Sequence, residues 1–246
     1  MADVVSVTGF ILSCMPVGDY DRRVVILSRE LGKIAAFAKG ARRPNSHLIG
    51  VTRPFIFGTF EVYRGRDSYT IQKANVTNYF EELVSDLDGV LYGYYFAELA
   101  EYYGRENLDA ADMINLLYVA FKALVNKSLP NELVRYIYEI RLIAVNGECP
   151  DFFSCAGCGS EKELQLYSYK ENGMYCVECA ASSGDGIVLQ SSTLYTLQYI
   201  ITAPLTKLFN FVVKADVLNE LKKVVNRIEF ITFDKHFKSK EMLDIG

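Results

Sequence analysis

The chain has 246 residues and a mass of 27.8 kDa; half its residues are hydrophobic and 23% are charged. That is enough apolar material for the core of one or two domains, and it excludes a disordered tail, a collagen-like fibre and a small disulfide scaffold. The formal charge of −4 hides a division near residue 80. Residues 1–80 carry 11 Lys and Arg against six acids, a net +5, and the remainder carries 15 against 24, a net −9. Such a split suggests one surface for a polyanion and another for protein contacts or solvation. No apolar run reaches the about 18 to 20 residues of a membrane-spanning helix, and no basic residue precedes Arg22 to make a secretory n-region. The expected location is the cytoplasm, with no membrane partner.

The first 75 residues read as short strands in which apolar and β-branched residues alternate between Gly, Pro and Asp. Val5, Val7 and Phe10–Leu12 make a first strand, Pro16–Asp19 turns the chain, and Arg23–Ser28 makes a second. Leu31-Gly32-Lys33 suits a hairpin turn into a third, Ile34–Ala38. A loop rich in Gly, Arg, Pro, Asn and Ser runs from Lys39 to about Thr52. Phe55–Tyr63 then forms an aromatic strand, and Ser68–Lys73 a fifth after the Arg64–Asp67 turn. Five short strands with few helix-length gaps favour a small closed barrel, which leaves no open sheet edge.

From about Asn78 the period becomes helical, with Tyr79, Phe80, Leu83, Leu87, Val90, Leu91, Tyr94 and Tyr95 spaced by three and four. A second helix is predicted over 109–127, opened by Asp109 as a cap. A third starts at Pro130 or Asn131 and ends at Asn146-Gly147. Beyond the cysteines, 192–202 and 214–230 are amphipathic, and these helices are expected to pack as a bundle. The spacing of Tyr92, Tyr94, Tyr95, Tyr102 and Tyr103 argues for packing rather than a base-stacking platform.

Five of the six cysteines lie between Cys149 and Cys179. Cys155-Ala-Gly-Cys158 and Cys176-Val-Glu-Cys179 are separated by 17 residues, the spacing of paired zinc knuckles. The two-residue gap lets two sulfurs of one turn converge on one metal. Four thiolates leave no open position, so a structural Zn2+ is expected, stabilising a subdomain too poor in apolar residues to fold unaided. A cytoplasmic chain disfavours disulfides, and no strand–CxxC–helix redox context surrounds either pair. Cys149 lies outside both pairs and reads as a spectator.

Catalysis finds little support. His47 and His236 are the only histidines, no HxE precedes the cysteines, and Lys39-Gly40-Ala41-Arg42 lacks the phosphate-loop pattern. The chain reads as a binding protein rather than an enzyme. Residues 22–43 hold seven basic residues against the single acid Glu30, a stripe able to neutralise several phosphates. Phe37, Phe55, Phe57, Phe60, Tyr63 and Tyr69 interleave with the basic residues of the barrel; those facing inward fill the barrel, and those facing outward are available to bases. Strand parity decides between these, and the sequence leaves it open.

Gly18-Asp19-Tyr20-Asp21-Arg22-Arg23-Val24-Val25, Glu30-Leu31-Gly32-Lys33-Ile34 and Lys39-Gly40-Ala41-Arg42-Arg43-Pro44 resemble the N-terminal signature of the bacterial recombination mediator family RecO. The likeness continues through Glu98-Leu99, the four-cysteine motif and His236-Phe237-Lys238-Ser239-Lys240; Met15-Pro16-Val17 stands where members often show Arg-Pro-Tyr. The resemblance implies an α+β multidomain chain: an OB-fold DNA-binding domain over 1–80, a helical domain in two parts over 81–148 and 187–246, and a zinc-binding subdomain over 149–186 held by Cys155, Cys158, Cys176 and Cys179. It also implies a nucleoid-associated mediator of the RecF repair pathway. Such a protein binds single- and double-stranded DNA, anneals complementary strands and works with RecR to load RecA on DNA coated by single-strand-binding protein, with RecF a further contact. Arg22, Arg23, Lys39, Arg42 and Arg43 are the candidates for phosphate contacts. Arg135 and Arg141 are candidates for pairing with the acidic C-terminal tail of single-strand-binding protein. The rival readings are a zinc-containing regulator of transcription or translation and a metal-dependent nuclease.

Overall fold

A computed structural model describes residues 4–66, 68–182 and 185–245. Asp67, expected in the turn before the fifth strand, and Met1–Asp3 lie outside the described residues. In chain order the elements are β1 (Val4–Val17), β2 (Asp21–Ser28), β3 (Gly32–Ala38), β4 (Phe57–Arg64), β5 (Tyr69–Asn78), α1 (Glu81–Val84), α2 (Leu87–Tyr103), α3 (Ala111–Asn126) and α4 (Asn131–Val145). There follow β6 (Leu164–Ser168), β7 (Gly173–Cys176), α5 (Val177–Ala180), β8 (Ile187–Val188), α6 (Ser191–Thr202), α7 (Leu205–Leu208), α8 (Ala215–Thr232) and α9 (Lys238–Ile245). No helix among the described residues is long and apolar enough to cross a membrane. The chain forms two compact units, Met1–Asn126 with Phe237–Gly246, and Lys127–His236.

In the first unit β1–β5 close into a barrel of order β1-β2-β3-β5-β4. All pairs are antiparallel except β3 with β5. Closure depends on the length of β1, whose first half pairs with β4 and whose second half pairs with β2. The strand bends at an irregularity between Ile11 and Ser13. Gly9 lies where both partners approach: a Cβ there would stand 1.9 Å from the Leu27 carbonyl oxygen. The turn expected from Pro16 begins only at Gly18, in the left-handed region at φ 54°, because Pro16 and Val17 still pair with Arg22 and Asp21. Proline is tolerated at such a strand end, where its missing N–H costs little. Likewise β5 runs to Asn78, five residues past the predicted end, since its polar outward residues Lys73, Asn75 and Thr77 hide a pairing with β4.

Alternation along the strands fills the barrel with Val7, Ile11, Val24, Ile26, Ile34, Ala36, Ala38, Phe60, Val62, Tyr69 and Ile71, and Ala41, Leu48 and Ile56 enter from the long loop. Phe10, Phe55, Phe57, Phe80, Tyr118 and Phe121 form a second apolar cluster between the barrel and α3, with ring centroids 4.7 to 6.2 Å apart. Helix does not begin at Asn78 because Phe80 sits in the left-handed region, with its N–H donated to Asn78 Oδ1. Asp109 Oδ1 accepts the Ala111 N–H at 2.8 Å and so serves the start of α3 as expected. Phe237 packs edge-on to Tyr95 and Tyr102, and Glu98 Oε2 accepts from the Ser239 backbone N–H and hydroxyl at the start of α9. A carboxylate at a helix N-terminus is favoured by the unpaired N–H groups there. Apart from exposed Tyr94, the tyrosines of α2 are buried or half-buried, as their spacing predicts.

In the second unit α4, α6 and α8 pack on one another, and β7-β6-β8 form a small antiparallel sheet. Gln198 donates to the Phe152 carbonyl at 2.8 Å and Arg227 to that of Tyr169 at 2.9 Å, which ties the cysteine-bearing segment to α6 and α8. Phe152 stacks on Tyr167 beneath it.

Candidate metal centre and nucleic-acid surface

The cysteines converge because each pair sits on a tight turn held by backbone hydrogen bonds. Cys155 N donates to the Ser160 carbonyl and Gly159 N to that of Cys155, each at 2.8 Å, with Gly159 at φ 74° closing the knuckle. Ala156 N donates to the Met174 carbonyl, fastening this knuckle to β7, whose last residue is Cys176; Cys179 follows in α5. A Cβ on Gly157 would stand 3.0 Å from Cys179 Sγ, so the small residue lets the two turns meet. All four Sγ atoms lie within 4.8 Å of one another, and the four thiols are free. Together they could hold a metal ion.

The electrostatics agree with a cation site. Burial pushes the Cys155 thiol up, but N–H donors from Cys176, Cys158 and Gly157 outweigh it and bring it down to about 6. Hydrogen bonding with the other three sulfurs pushes Cys179 up to about 12. Four thiolates this close repel one another until a cation compensates them, so metal binding releases protons. Cys149 stands outside the group, and burial with nearby Asp151 pushes its thiol up to about 12.

The basic residues fall into two kinds. Arg22 is half-buried, and its Nη1 donates to the Ile49 carbonyl at 2.9 Å and to Thr52 Oγ1 at 3.0 Å, so this guanidinium anchors the long loop. Asp21 Oδ1 accepts the Gly40 N–H at 2.7 Å, and Arg42 N donates to the Tyr20 carbonyl at 2.8 Å, which binds the β1–β2 turn to the start of the same loop. Arg23, Lys39, Arg42 and Arg43 are exposed on this braced surface. The Arg42 side chain donates to the Gly18 carbonyl and that of Arg43 lies over the Tyr20 ring at 4.9 Å, while Arg23 and Lys39 make no hydrogen bond or ion pair among the described residues. Arg64 and Arg66 are exposed in the same unit and extend the positive surface; their separation from the 22–43 stripe in sequence concealed this.

Arg135 is 7% exposed and spends its charge within its own unit, donating to Glu139 Oε1 at 2.7 Å with Glu229 3.9 Å away. It is not presented to an external carboxylate. Arg141 is half-buried and donates to the Ile200 carbonyl at 3.1 Å. Burial and the neighbouring Glu229 push the Glu139 carboxyl up to about 8 against the pull of Arg135. An open groove of 540 Å³ lies elsewhere in this unit, lined by Tyr195, Tyr199, Phe211, Val212 and Lys214 among others.

Residues 1–80 match the family described as Recombination protein O N terminal, and residues 84–241 match Recombination protein O C terminal. The chain belongs to the RecO family. Members named DNA repair protein RecO align over nearly the whole length: that of Acetivibrio thermocellus is 30% identical over 241 residues, covering 96% of this chain and 94% of its own. That of Oceanobacillus iheyensis is 28% identical, covering 97% and 92%, and that of Bacillus subtilis 27%, covering 96% and 92%. The family boundary near residue 80 falls where the barrel ends and the helices begin. Membership places the chain in DNA repair and recombination.

Proposed function

We propose that the chain is a recombination mediator that binds single- and double-stranded DNA and anneals complementary strands without covalent chemistry. The observation that carries this reading is the braced, exposed set Arg23, Lys39, Arg42 and Arg43 on the barrel of a RecO-family chain. Residues 1–80 supply the DNA surface, 81–148 and 187–246 the helical parts, and 149–186 the zinc subdomain. Phosphates of two strands are neutralised on the basic surface, their mutual repulsion falls, and base pairing drives annealing. Arg22 contributes by holding the loop that displays Arg42 and Arg43. Each phosphate engaged steepens the salt dependence, with a slope of about −0.9 per contact on duplex DNA.

Zinc is the metal proposed. Cys158 and Cys176 place their Sγ atoms 3.7 Å apart. A tetrahedral site with metal–sulfur bonds of about 2.3 Å requires sulfurs about 3.8 Å apart. Bound there, the ion holds the knuckles together and supplies no reactive position.

With RecR as partner, the protein would load RecA onto DNA coated by single-strand-binding protein. The test of the main reading is annealing of labelled complementary oligonucleotides without nucleotide, with added Mg2+ or Mn2+ in a parallel arm. Acceleration with both strands intact supports a mediator. No acceleration refutes the reading, and strand cleavage turns it into the nuclease.

A further inference from the structure

Helix α2 is apolar on all sides, and only part of its circumference is covered. One face buries Phe96, Leu99 and Tyr103. On the opposite face, Phe237 and Ser239 of α9 cover the C-terminal half through Tyr102 and Glu98. The N-terminal half is left open: Leu87 is 80% exposed, Leu91 one turn on is half-buried, and Tyr94 a turn further is exposed. A helix that is apolar all round is ordinarily buried all round. Beside Tyr94 opens a cavity of 340 Å³, with Tyr79 and Val84 exposed on its wall and buried Phe55 and Ile56 at its base. Its surroundings are acidic, since between Ala74 and Gly104 the chain holds six acids and no Lys or Arg. Glu81 and Glu82 are exposed and make no side-chain hydrogen bond or ion pair among the described residues. Arg53, a base on the rim, donates to the Gly50 carbonyl at 3.4 Å. An uncovered apolar centre with an acidic border fits a partner whose apolar centre has a basic border.

The chain itself carries such a surface. Met15 lies opposite Arg23 and Val17 opposite Asp21 in the β1–β2 register. Their neighbours Cys14 and Val24 pack on the barrel core, so Met15, Val17 and Arg23 share the outer face. Arg42 donates to the carbonyl of Gly18, which follows Val17, and Arg43 lies over the Tyr20 ring, so both guanidinium groups border the same apolar spot. Met15 is 61% exposed there. Phosphates gain nothing from an exposed methionine, whereas an apolar cavity does, because this unbranched side chain adapts to irregular gaps. Both patches belong to the first unit, and both stay exposed in a single chain, so they do not cover each other there. Between two copies they can.

We propose that the basic patch around Met15 docks on the acidic patch of a second copy, with Met15 entering the cavity between Tyr79 and Tyr94 and with Arg42 and Arg43 facing Glu81 and Glu82. The contact joins unlike surfaces, so each end of a pair keeps one patch open and association continues head to tail. It also hides Arg42 and Arg43 from any polyanion, so DNA must displace the second copy. That consequence rests on the DNA-binding reading; the contact itself does not.

Sedimentation equilibrium of the full chain with saturating Zn2+ tests the contact. At low salt the weight-average mass is expected to rise with concentration above 27.8 kDa and past that of a dimer. At about 0.5 M salt, where the screening length is about 4 Å, it should return to the monomer value. Glu81→Lys/Glu82→Lys and Arg42→Glu/Arg43→Glu each set like charges against one another and should each weaken association at least about tenfold. Mixed in equal amounts the two variants should associate again, because the first keeps the native basic patch and the second the native acidic one. Met15→Ser, which keeps every charge, should also weaken association at least about tenfold by removing the buried side chain. A monomer mass at every concentration in low salt overturns the contact, as does association that survives either charge reversal, undiminished association of Met15→Ser, or a mixture that stays monomeric. An oligonucleotide bound by the wild type, followed by anisotropy, should disperse the assembly, and association undisturbed by bound DNA overturns the shared surface. Absence of DNA binding would instead refute the DNA-binding reading, with the masses still deciding the contact.

Discussion

Replacing Glu139 by Gln tests whether the buried charge cluster of the second unit carries a proton in the folded state. Glu139 lies inside α4 with Oε1 on Arg135 Nε, while its Oε2 is buried without a hydrogen-bond partner among the described residues. Glu229 shares the same guanidinium, so two carboxylates face one cation. Burial and the second carboxylate push Glu139 from the ordinary value of 4.5 up to about 8. The folded state therefore binds more protons than the unfolded state between those values, and stability must fall as pH rises through that window. At about 1.4 kcal/mol per pKa unit the upper bound is about 5 kcal/mol, and relaxation around the site brings the expected effect to about 1–3 kcal/mol. Gln keeps an oxygen for Arg135 and offers an N–H to Glu229, copying the protonated acid. Urea midpoints at pH 5.5 and 8, with saturating Zn2+ in every sample, give the difference between wild type and variant at each pH and cancel the pH dependence of metal binding. The variant should gain on the wild type by about 1–3 kcal/mol on going from pH 5.5 to 8. An equal pH response in both proteins would refute a proton held on Glu139.

Cys176→Ser should lose stoichiometric zinc by elemental analysis and lower the thermal midpoint, and strong chelators should do the same to the wild type; zinc retained at one equivalent by the variant would contradict a four-thiolate site. Gly9→Ala drives a methyl group to within 1.9 Å of the Leu27 carbonyl oxygen. Both atoms are tied to barrel strands, so a loss at or above the ~1–3 kcal/mol range of overpacking is expected in urea unfolding. Glu98→Ala removes the acceptor of two hydrogen bonds from Ser239 and should cost about 1–2 kcal/mol locally, read as faster proteolysis after residue 236 with little change in barrel stability.

The barrel was legible because inward positions such as Val24, Ile26, Ile34 and Ala36 are apolar at a period of two, and the four-cysteine cluster because two CxxC turns carry their geometry in their spacing. The strand ends were not. Pro16 and Val17 look like a turn, and residues 74–77 look like a linker, because pairing with a distant strand leaves no local mark when the outward residues are polar. Side-chain partners were not legible where they lie far along the chain. Arg22 sits in the basic stripe, yet carbonyls and a hydroxyl nearly 30 residues later claim it. Arg135 is held first by Glu139 one helical turn on, a spacing the sequence does show, and also faces Glu229, 94 residues on, which it does not. The outward rings Phe37 and Tyr63 required the register of four strands before they could be told from Phe55, Phe57, Phe60 and Tyr69, which are buried or covered.

The first compact unit is discontinuous in sequence: it takes in residues up to Asn126 and again from Phe237. On a ribosome adding about 5–20 residues per second, the 110 residues from Lys127 to His236 take roughly 5–22 s to synthesise. During that interval the barrel and α1–α3 are already made, while Tyr95, Tyr102 and Glu98 still lack the Phe237 and Ser239 that will cover and satisfy them. Vectorial synthesis thus holds open an aromatic notch on the nascent first unit. A nascent chain arrested before residue 237 would display that notch to chaperones, and one extended beyond residue 246 by a linker long enough to bring α9 out of the exit tunnel would not.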